Sequence, residues 1–278
     1  MLSDRDYYRG TPRRPSLNDG PIIKPLIILN IIVFLMCSLT ERFMENGGLL
    51  PFIALRGYEV MHGQVWRLAT YMFAHGGFFH IFFNMWGLFI FGTLVEHAIG
   101  SRHTLYIYLA SGLLGGLVWM AANLRSPFPM VGASGALYGV MVASAVIFPN
   151  VPMQLLFPPV TLKLRTMVIA YIIIDILSTF DARGYRIAYL AHLGGALGGF
   201  VYMQFLLRRF GRPTILTTIQ SFFRRRAFKR KLDASGSYSA EDLNQVLQKL
   251  SQVGYDHLTP QEKSILSDAS QKLRDRNK

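Results

Sequence analysis

The chain has 278 residues, of which 51% are hydrophobic, and a formal net charge of +13. The apolar residues are concentrated between about residues 22 and 208, and several apolar runs approach the roughly 20 residues that a helix needs to cross a bilayer. This distribution excludes an ordinary soluble domain and predicts a helical membrane protein with several spans.

Basic residues are concentrated in the two polar segments that flank the apolar region, Arg5 to Lys24 and Arg208 to Lys231. Basic side chains at membrane edges mark the cytoplasmic side and favour anionic lipid headgroups. We therefore expect the lipid bilayer, and not a nucleic acid, to be the partner of this charge. The single cysteine, Cys37, cannot form an internal disulfide, and no cysteine cluster suggests zinc. We expect no metal and no cofactor.

Composition divides the chain into four segments. The polar start, with its glycines and prolines, predicts a flexible tail. The apolar region predicts an all-α membrane domain, and a basic linker and a small helical hairpin follow it. The predicted segments are a tail 1–20, a membrane domain 21–210, a linker 211–238 and a C-terminal cytoplasmic hairpin 239–278.

Six apolar runs in the membrane domain predict six transmembrane helices. The fourth is only about 15 residues long, so one of its ends must lie inside the membrane in a protein-lined or watery cavity. Six spans put both termini on one side, and the basic ends make that side cytoplasmic. The predicted spans run approximately over Ile22–Leu39, Phe78–Ile99, Thr104–Ala122, Ser134–Phe148, Thr166–Phe180 and Ile187–Leu207.

Two connections between these spans are long. Residues 40–77 are rich in glycine and aromatic residues, and a loop of this length is usually functional. Residues 151–165 contain Pro152, Pro158 and Pro159, which predict a loop.

The C-terminal segment carries two helical periods of apolar residues, with Gly254 between them. Thr259, Pro260 and Glu262 stand in the order of a cap, a first-turn proline and a capping-box glutamate. A hairpin of this size is too small to be stable through apolar burial alone. We expect it to dock on itself, on a second copy or on a partner that the sequence does not identify.

A serine in a glycine-rich setting, Gly132-Ala133-Ser134-Gly135, opens the fourth span. The backbone N–H groups of a first helical turn have no intrahelical acceptor and can stabilise an oxyanion. The flanking glycines allow another backbone, or a substrate, to approach closely. The alternative interpretation is a small-residue contact between membrane helices.

His192 lies near the start of the sixth span, and the predicted topology places that start on the same side as Ser134. The two side chains are therefore expected at similar depth, where a hydroxyl and an imidazole form the minimum of an activated nucleophile. Gly195 and Gly199 form a small-residue face that allows close packing on the fourth span.

His80 and Asn84 are four residues apart at the start of the second span, so they share one helical face. At the depth of Ser134 they could donate hydrogen bonds to an oxyanion. Taken singly, each is an ordinary interfacial residue bonded to headgroups or neighbouring helices. Together, four polar groups at one depth in a membrane predict a functional site.

These elements, in this order, resemble the rhomboid family of intramembrane serine proteases over residues 22–208. Each motif is weak alone, but the ordered set is specific. The matching elements are Trp66-Arg67, His80 with Asn84, Gly132-Ala133-Ser134-Gly135, Tyr138, and Ala191-His192 with Gly195 and Gly199.

The resemblance implies a role for each residue of the site. Ser134 is the nucleophile and His192 the general base and acid, a dyad without an acidic third member. Tyr138 orients the imidazole. The oxyanion hole consists of His80, Asn84 and the Ser134 backbone N–H. The implied supporting residues are Gly132 and Gly135 at the serine, with Trp66, Arg67 and His75 in structural roles.

Two acidic residues within the spans are set apart from this site. Asp175 lies in the fifth span near its outer end, where solvation or a bond between helices is expected in preference to catalysis, with a part in a substrate gate as a further alternative. Glu96 lies near the inner end of the second span and is expected to bond to neighbouring loops.

The resulting hypothesis is a six-helix rhomboid protease of a bacterial inner membrane that cuts transmembrane protein substrates through an acyl-enzyme. A catalytically silent rhomboid-like protein would bind such clients without cutting them. A small transporter would use the same cavity for a solute, but the internal repeats frequent in transporters are not visible in the sequence.

Overall fold

The computed structural model describes residues 21–44, 48–155, 159–179, 186–211 and 239–274, together with five single positions between 213 and 223. The predicted tail 1–20 and most of the predicted linker lie outside these residues. The chain divides between Leu206 and Leu207 into two compact units. The larger unit contains the apolar helices and the smaller one the C-terminal hairpin.

The larger unit is predominantly helical, in agreement with the predicted all-α class. Four of the helices among the described residues are long and apolar enough to cross a membrane, and the chain is a multi-pass membrane protein. Two further helices, of 14 and 16 residues, are shorter, so the six-span count stays a prediction. These four longer and two shorter helices are α1 (Ile23–Phe43), α5 (Phe78–Ile99), α6 (Ser101–Ala122), α7 (Ser134–Ile147), α8 (Leu164–Thr179) and α9 (Arg186–Arg209).

The described part of the long connection, residues 48–77, is not an irregular loop but contains a series of short helical turns. Arg67 anchors it, because its buried guanidinium donates hydrogen bonds of 2.6 Å to the carbonyl oxygens of Pro51 and Ala54. A backbone bridge between Leu55 and Met130 joins this connection to the segment before α7. The short elements are α2 (Leu50–Ile53), α3 (Gly57–Met61), α4 (Arg67–Thr70) and a 3₁₀ turn, Tyr71–Phe73.

Gly100 separates α5 from α6. Its φ of +86° lies in the left-handed region, which glycine adopts without steric cost, and its N–H bonds to the carbonyl of Glu96. The Glu96 carboxylate accepts hydrogen bonds from Ser101 Oγ and from the backbone N–H of Ile22. The prediction that Glu96 bonds to neighbouring segments is confirmed.

Helix α7 lies at the centre of the bundle. Its side chains are buried almost all the way round, as expected for a helix that is apolar on every face. It packs against α5, α6 and α8. The outward faces of α1 and α5, by contrast, expose large apolar side chains such as Ile28, Leu35 and Phe89, which a lipid environment would cover. The end of α7 that carries Ser134 is therefore held by the surrounding helices.

The connection after α7 differs from the predicted loop. Strand β1 (Pro152–Gln154) pairs antiparallel with β2 (Thr161–Lys163), and Pro152 lies opposite Lys163. The prolines indicated a break in helical structure but did not exclude a short strand at the edge of a two-stranded ribbon.

The smaller unit is a helical hairpin of α10 (Ala240–Val253) and α11 (Pro260–Arg274). The capping box predicted at Thr259 and Glu262 is confirmed, since the Glu262 carboxylate accepts the Thr259 N–H at 2.7 Å and Thr259 Oγ1 accepts the Glu262 N–H at 3.3 Å. The predicted stop at Gly254 is confirmed by its φ of +81°. Ser239 and Asp242 form a second capping box that the sequence analysis missed.

Candidate active site

Ser134 is the first residue of α7, and the chain reaches it through Gly132. The Gly132 N–H donates to the Tyr71 carbonyl at 3.0 Å, and its φ of +123° is one that side chains oppose. Since the first N–H groups of a helix have no intrahelical acceptor, the Ser134 hydroxyl lies beside backbone donors. Such donors can stabilise an oxyanion that forms on a carbonyl group attacked by this hydroxyl.

His192 reaches Ser134 because α9 packs directly against the backbone of α7. A Cβ atom on Gly195 would overlap the Gly135 carbonyl, and one on Gly199 would overlap the carbonyl of Gly139. The predicted close packing of this glycine face on the fourth span is therefore confirmed. Any larger residue at these positions would push the helix that carries His192 away from Ser134.

The side chains of Ser134 and His192 form a hydrogen bond. Ser134 Oγ lies 2.8 Å from His192 Nε2, within the range of a hydroxyl that donates to an imidazole. The ring of Tyr138, one turn after Ser134, stacks on the imidazole with 4.4 Å between centroids and 9° between planes. Stacking holds the ring in the plane in which Nε2 points at the serine, so the pair has the geometry that transfer of the hydroxyl proton requires.

The carboxylate of Asp175 contacts the imidazole of His192. Asp175 Oδ2 lies 3.0 Å from His192 Nδ1, on the side of the ring opposite Ser134. The dyad without an acidic third member stays a prediction about roles, and the structure places an acidic side chain beside its histidine. Of the roles weighed for Asp175, the structure contains the bond between helices. The sequence signal was an ionisable residue inside an apolar helix, but periodicity could not predict which side chain it meets.

His80 and Asn84 lie with Ser134 around a cavity of about 370 Å³, whose other lining residues are Phe79, Phe83 and Leu137. Asn84 is buried and uses one amide hydrogen to bond the His80 carbonyl at 2.8 Å. An amide nitrogen has two hydrogens, so one can still face the cavity. The three aromatic and aliphatic residues were not predicted as part of the site, and they make one wall of it apolar.

His75 lies behind His80 and outside the long helices. It is buried, its Nδ1 lies 3.3 Å from the Phe73 carbonyl oxygen, and its ring meets that of His80 edge-on at 5.1 Å. Burial, followed by the proximity of His80, lowers the pKa of His75 to about 4. The neutral imidazole of His75 therefore packs against the His80 ring. It does not contact Ser134 in the described contacts.

Trp66 and Arg67 lie in the connection before the site and do not contact it in the hydrogen bonds described. Trp66 Nε1 donates to the Phe52 carbonyl at 3.3 Å, and Arg67 holds the same short segment. These contacts fit a structural part for both residues. Among the residues that the structure describes, no group of three His, Cys, Asp or Glu side chains is placed to hold a metal ion.

The architecture and this site define a class of protein: a multi-pass helical membrane protein with a serine–histidine pair at the buried start of a short helix. A family model described as the rhomboid domain matches residues 62–209. Because that match covers more than half of the chain, the protein belongs to the rhomboid family.

Individual relatives agree with this membership. The chain is 33% identical to the rhomboid protease GluP of Bacillus subtilis (strain 168) over 72% of its own length and 38% of that protein. It is 32% identical to the mitochondrial RHOMBOID-like protein 12 of Arabidopsis thaliana over 65% of the chain and 56% of the relative. It is 31% identical to the mitochondrial Rhomboid protein 1 of Saccharomyces cerevisiae over 70% and 54%. The chain thus spans roughly half or less of the length of each of these relatives.

Proposed function

We propose that this protein is an intramembrane serine protease that hydrolyses peptide bonds in or near transmembrane segments of other membrane proteins. The observation that carries the proposal is the 2.8 Å separation of Ser134 Oγ and His192 Nε2 beside a cavity at the start of a buried helix. Membership of the rhomboid family and the similarity to a relative named as a protease support it.

In the first step, Ser134 Oγ attacks the carbonyl carbon of the scissile bond while His192 Nε2 takes the hydroxyl proton. The carbonyl oxygen becomes an oxyanion, which the Ser134 backbone N–H and the side chains of Asn84 and His80 stabilise by hydrogen bonds. Donors fixed in advance in a site of low dielectric need little reorganisation when the charge develops. This is why a buried Asn84 suits the role better than a mobile surface amide.

In the second step, the carbon–nitrogen bond breaks and His192 gives its proton to the leaving amine. The acyl group stays on Ser134 as an ester until water, deprotonated by His192, attacks it. The ester bond then breaks, His192 returns the proton to Ser134 Oγ, and the new carboxyl terminus is released. The His192 side chain is 15% exposed, and this exposed part is the proposed route of the water. The apolar wall of Phe79, Phe83 and Leu137 faces the bound segment and fits its hydrophobic side chains.

The proposed setting is the inner membrane of a bacterium, with both termini in the cytoplasm and the cavity open toward the outer face. The basic segments at both ends of the apolar region support this orientation through the positive-inside rule. A transmembrane protein is then the substrate, since the cavity is lined by residues of the apolar helices α5 and α7.

Cleavage of a transmembrane substrate by the purified protein in liposomes tests the function. Wild type is expected to release the product, and Ser134→Ala to release none while binding the substrate as before. The matched control is Ser144→Ala, which removes another serine of α7 whose buried hydroxyl bonds only the helix carbonyl of Met141 in the described contacts. Binding without cleavage by wild type would indicate the catalytically silent alternative, and equal cleavage by Ser134→Ala would reject the mechanism.

A further inference from the structure

Asp175 is a buried carboxylate in an apolar helix. It is only 5% exposed, and it lies on the inward face of α8 with Leu164 and Val168, which are also buried. A carboxylate removed from water is strongly destabilising unless a partner balances its charge or bonds its oxygens. Its contacts therefore indicate what it does.

Those contacts are with the machinery around Ser134. Asp175 Oδ2 lies 3.0 Å from His192 Nδ1, and the other faces of this imidazole meet Ser134 Oγ and the ring of Tyr138. Asp175 thus bonds the imidazole that lies between Ser134 and Tyr138. Three helices, α7, α8 and α9, meet at this imidazole.

The contact determines the proton arrangement on His192. An ionised carboxylate only accepts hydrogen bonds, so Nδ1 must carry the proton that it shares with Asp175. In the neutral ring the proton-free nitrogen is then Nε2, which faces Ser134 Oγ at 2.8 Å. This is the tautomer that can take the serine proton, and the opposite tautomer could not.

The charge of Asp175 acts at the moment His192 becomes an imidazolium. Among the side chains that the structure describes, the other titratable groups near this cluster are the phenols of Tyr138, Tyr171 and Tyr189 and the imidazole of His80. Phenols and imidazoles carry no negative charge at neutral pH. Among these groups, Asp175 therefore supplies the negative charge beside His192, and in a site of low dielectric its attraction for the imidazolium is stronger than in water.

We propose that Asp175 is a positioning residue of the active site, which makes the Ser134–His192 pair a triad by fixing the Nδ1–H tautomer and stabilising the imidazolium. The inference rests on the proposed protease function. Because α8 carries Asp175, correct packing of this helix against α9 becomes a condition for an active His192.

The test compares Asp175→Asn with wild type in the liposome cleavage assay. The amide has nearly the shape of the carboxylate but lacks its charge and can donate to Nδ1, which selects the wrong tautomer. We expect kcat to fall by about 100-fold or more while KM changes by less than about threefold, as for loss of a group that acts through the general base. Asp175→Glu, which keeps the charge, is expected to recover at least about tenfold of that loss. Ser144→Ala serves as the control for loss of a buried polar side chain.

Each outcome separates the inference from the function on which it rests. If Asp175→Asn keeps the wild-type kcat while Ser134→Ala is inactive, or if only KM rises, the triad is rejected and the protease function stands. If wild type and Ser134→Ala do not differ, the protease function itself fails.

A measurement on the wild-type protein covers the case in which Asp175→Asn does not fold. Nitrogen-15 NMR of histidine-labelled protein, with His192→Ala to assign the signal, reports which ring nitrogen carries the proton. We expect the Nδ1–H tautomer for His192 in neutral form. The Nε2–H tautomer would overturn the proposal.

Discussion

The imidazole of His80 occupies the space that a side chain on Gly132 would need. A Cβ atom at residue 132 would lie 2.7 Å from His80 Nε2 and 2.8 Å from Cε1, closer than such atoms approach in proteins. The backbone of Gly132 is also held at a φ of +123° by its bond to Tyr71. The turn into Ser134 and the position of His80 are therefore compatible only with glycine at 132.

Gly132→Ala is accordingly expected to lower kcat by at least about tenfold, because His80 or the turn before Ser134 must move, and misplacement of about 1 Å can cost 100-fold. The kcat is measured by cleavage of a transmembrane substrate in liposomes. Gly63→Ala is the matched control, since Gly63 also has a positive φ, +96°, but nothing lies within 4 Å of its Cβ position. An active Gly132→Ala protein would show that this turn tolerates a side chain and that the close approach has no consequence for the chemistry.

Asn84→Ala removes a proposed oxyanion donor. We expect kcat to fall by about 100-fold with little change in KM, since the bond to the oxyanion forms only in the transition state. Asn30→Ala is a close control, because Asn30 is also buried and its Nδ2 likewise donates to the carbonyl four residues earlier, at 2.8 Å. Equal losses in the two variants would assign the effect to the helix and not to the oxyanion.

The buried imidazole of His75 predicts a pH dependence of stability. Its pKa in the folded protein is about 4, below the ordinary value of about 6.5, so the unfolded chain takes up a proton first as the pH falls. The contribution of His75 is complete above about pH 6.5 and decreases progressively toward pH 4. His75→Gln should therefore flatten the decline of Tm between about pH 7 and pH 5 in detergent. His62→Gln, which removes an exposed imidazole, should leave that decline unchanged, and an identical slope for His75→Gln would contradict the prediction.

Glu262 joins the two helices of the C-terminal hairpin. Its bond from the Thr259 N–H and its ion pair with Lys249 Nζ, at 2.9 and 3.0 Å, lower the pKa of this carboxyl. The stabilisation is therefore present above the unfolded pKa and is lost as the pH falls through the lower folded value. Glu262→Gln should speed hydrogen exchange at the start of α11, measured on the full-length protein. Asp268→Asn, at an exposed position of the same helix, is the control, and equal protection in both variants would contradict the role of Glu262.

Much of the architecture could be predicted from local patterns in the sequence. The apolar runs predicted the long helices, and the small residues Gly195 and Gly199 predicted close packing of α9, because both features depend on residues near in sequence. The predicted topology placed Ser134 and His192 at similar depth, and their side chains lie 2.8 Å apart in the structure. Their catalytic roles stay a prediction.

The remaining features depend on contacts between distant segments, which periodicity does not encode. Asp175 meets His192 only because α8 and α9 turn those two positions toward each other. The pairing of Pro152 with Lys163 depends on how the chain returns between α7 and α8. The need for glycine at 132 likewise comes from His80, more than 50 residues earlier.

The central claim is that His192 activates the Ser134 hydroxyl as a nucleophile. Reaction with a fluorophosphonate probe, followed by mass spectrometric mapping of the modified residue, tests it most directly. We expect modification at Ser134 in wild type, and none in Ser134→Ala or His192→Ala. Labelling that persists in either variant, or that maps to another residue, would contradict it.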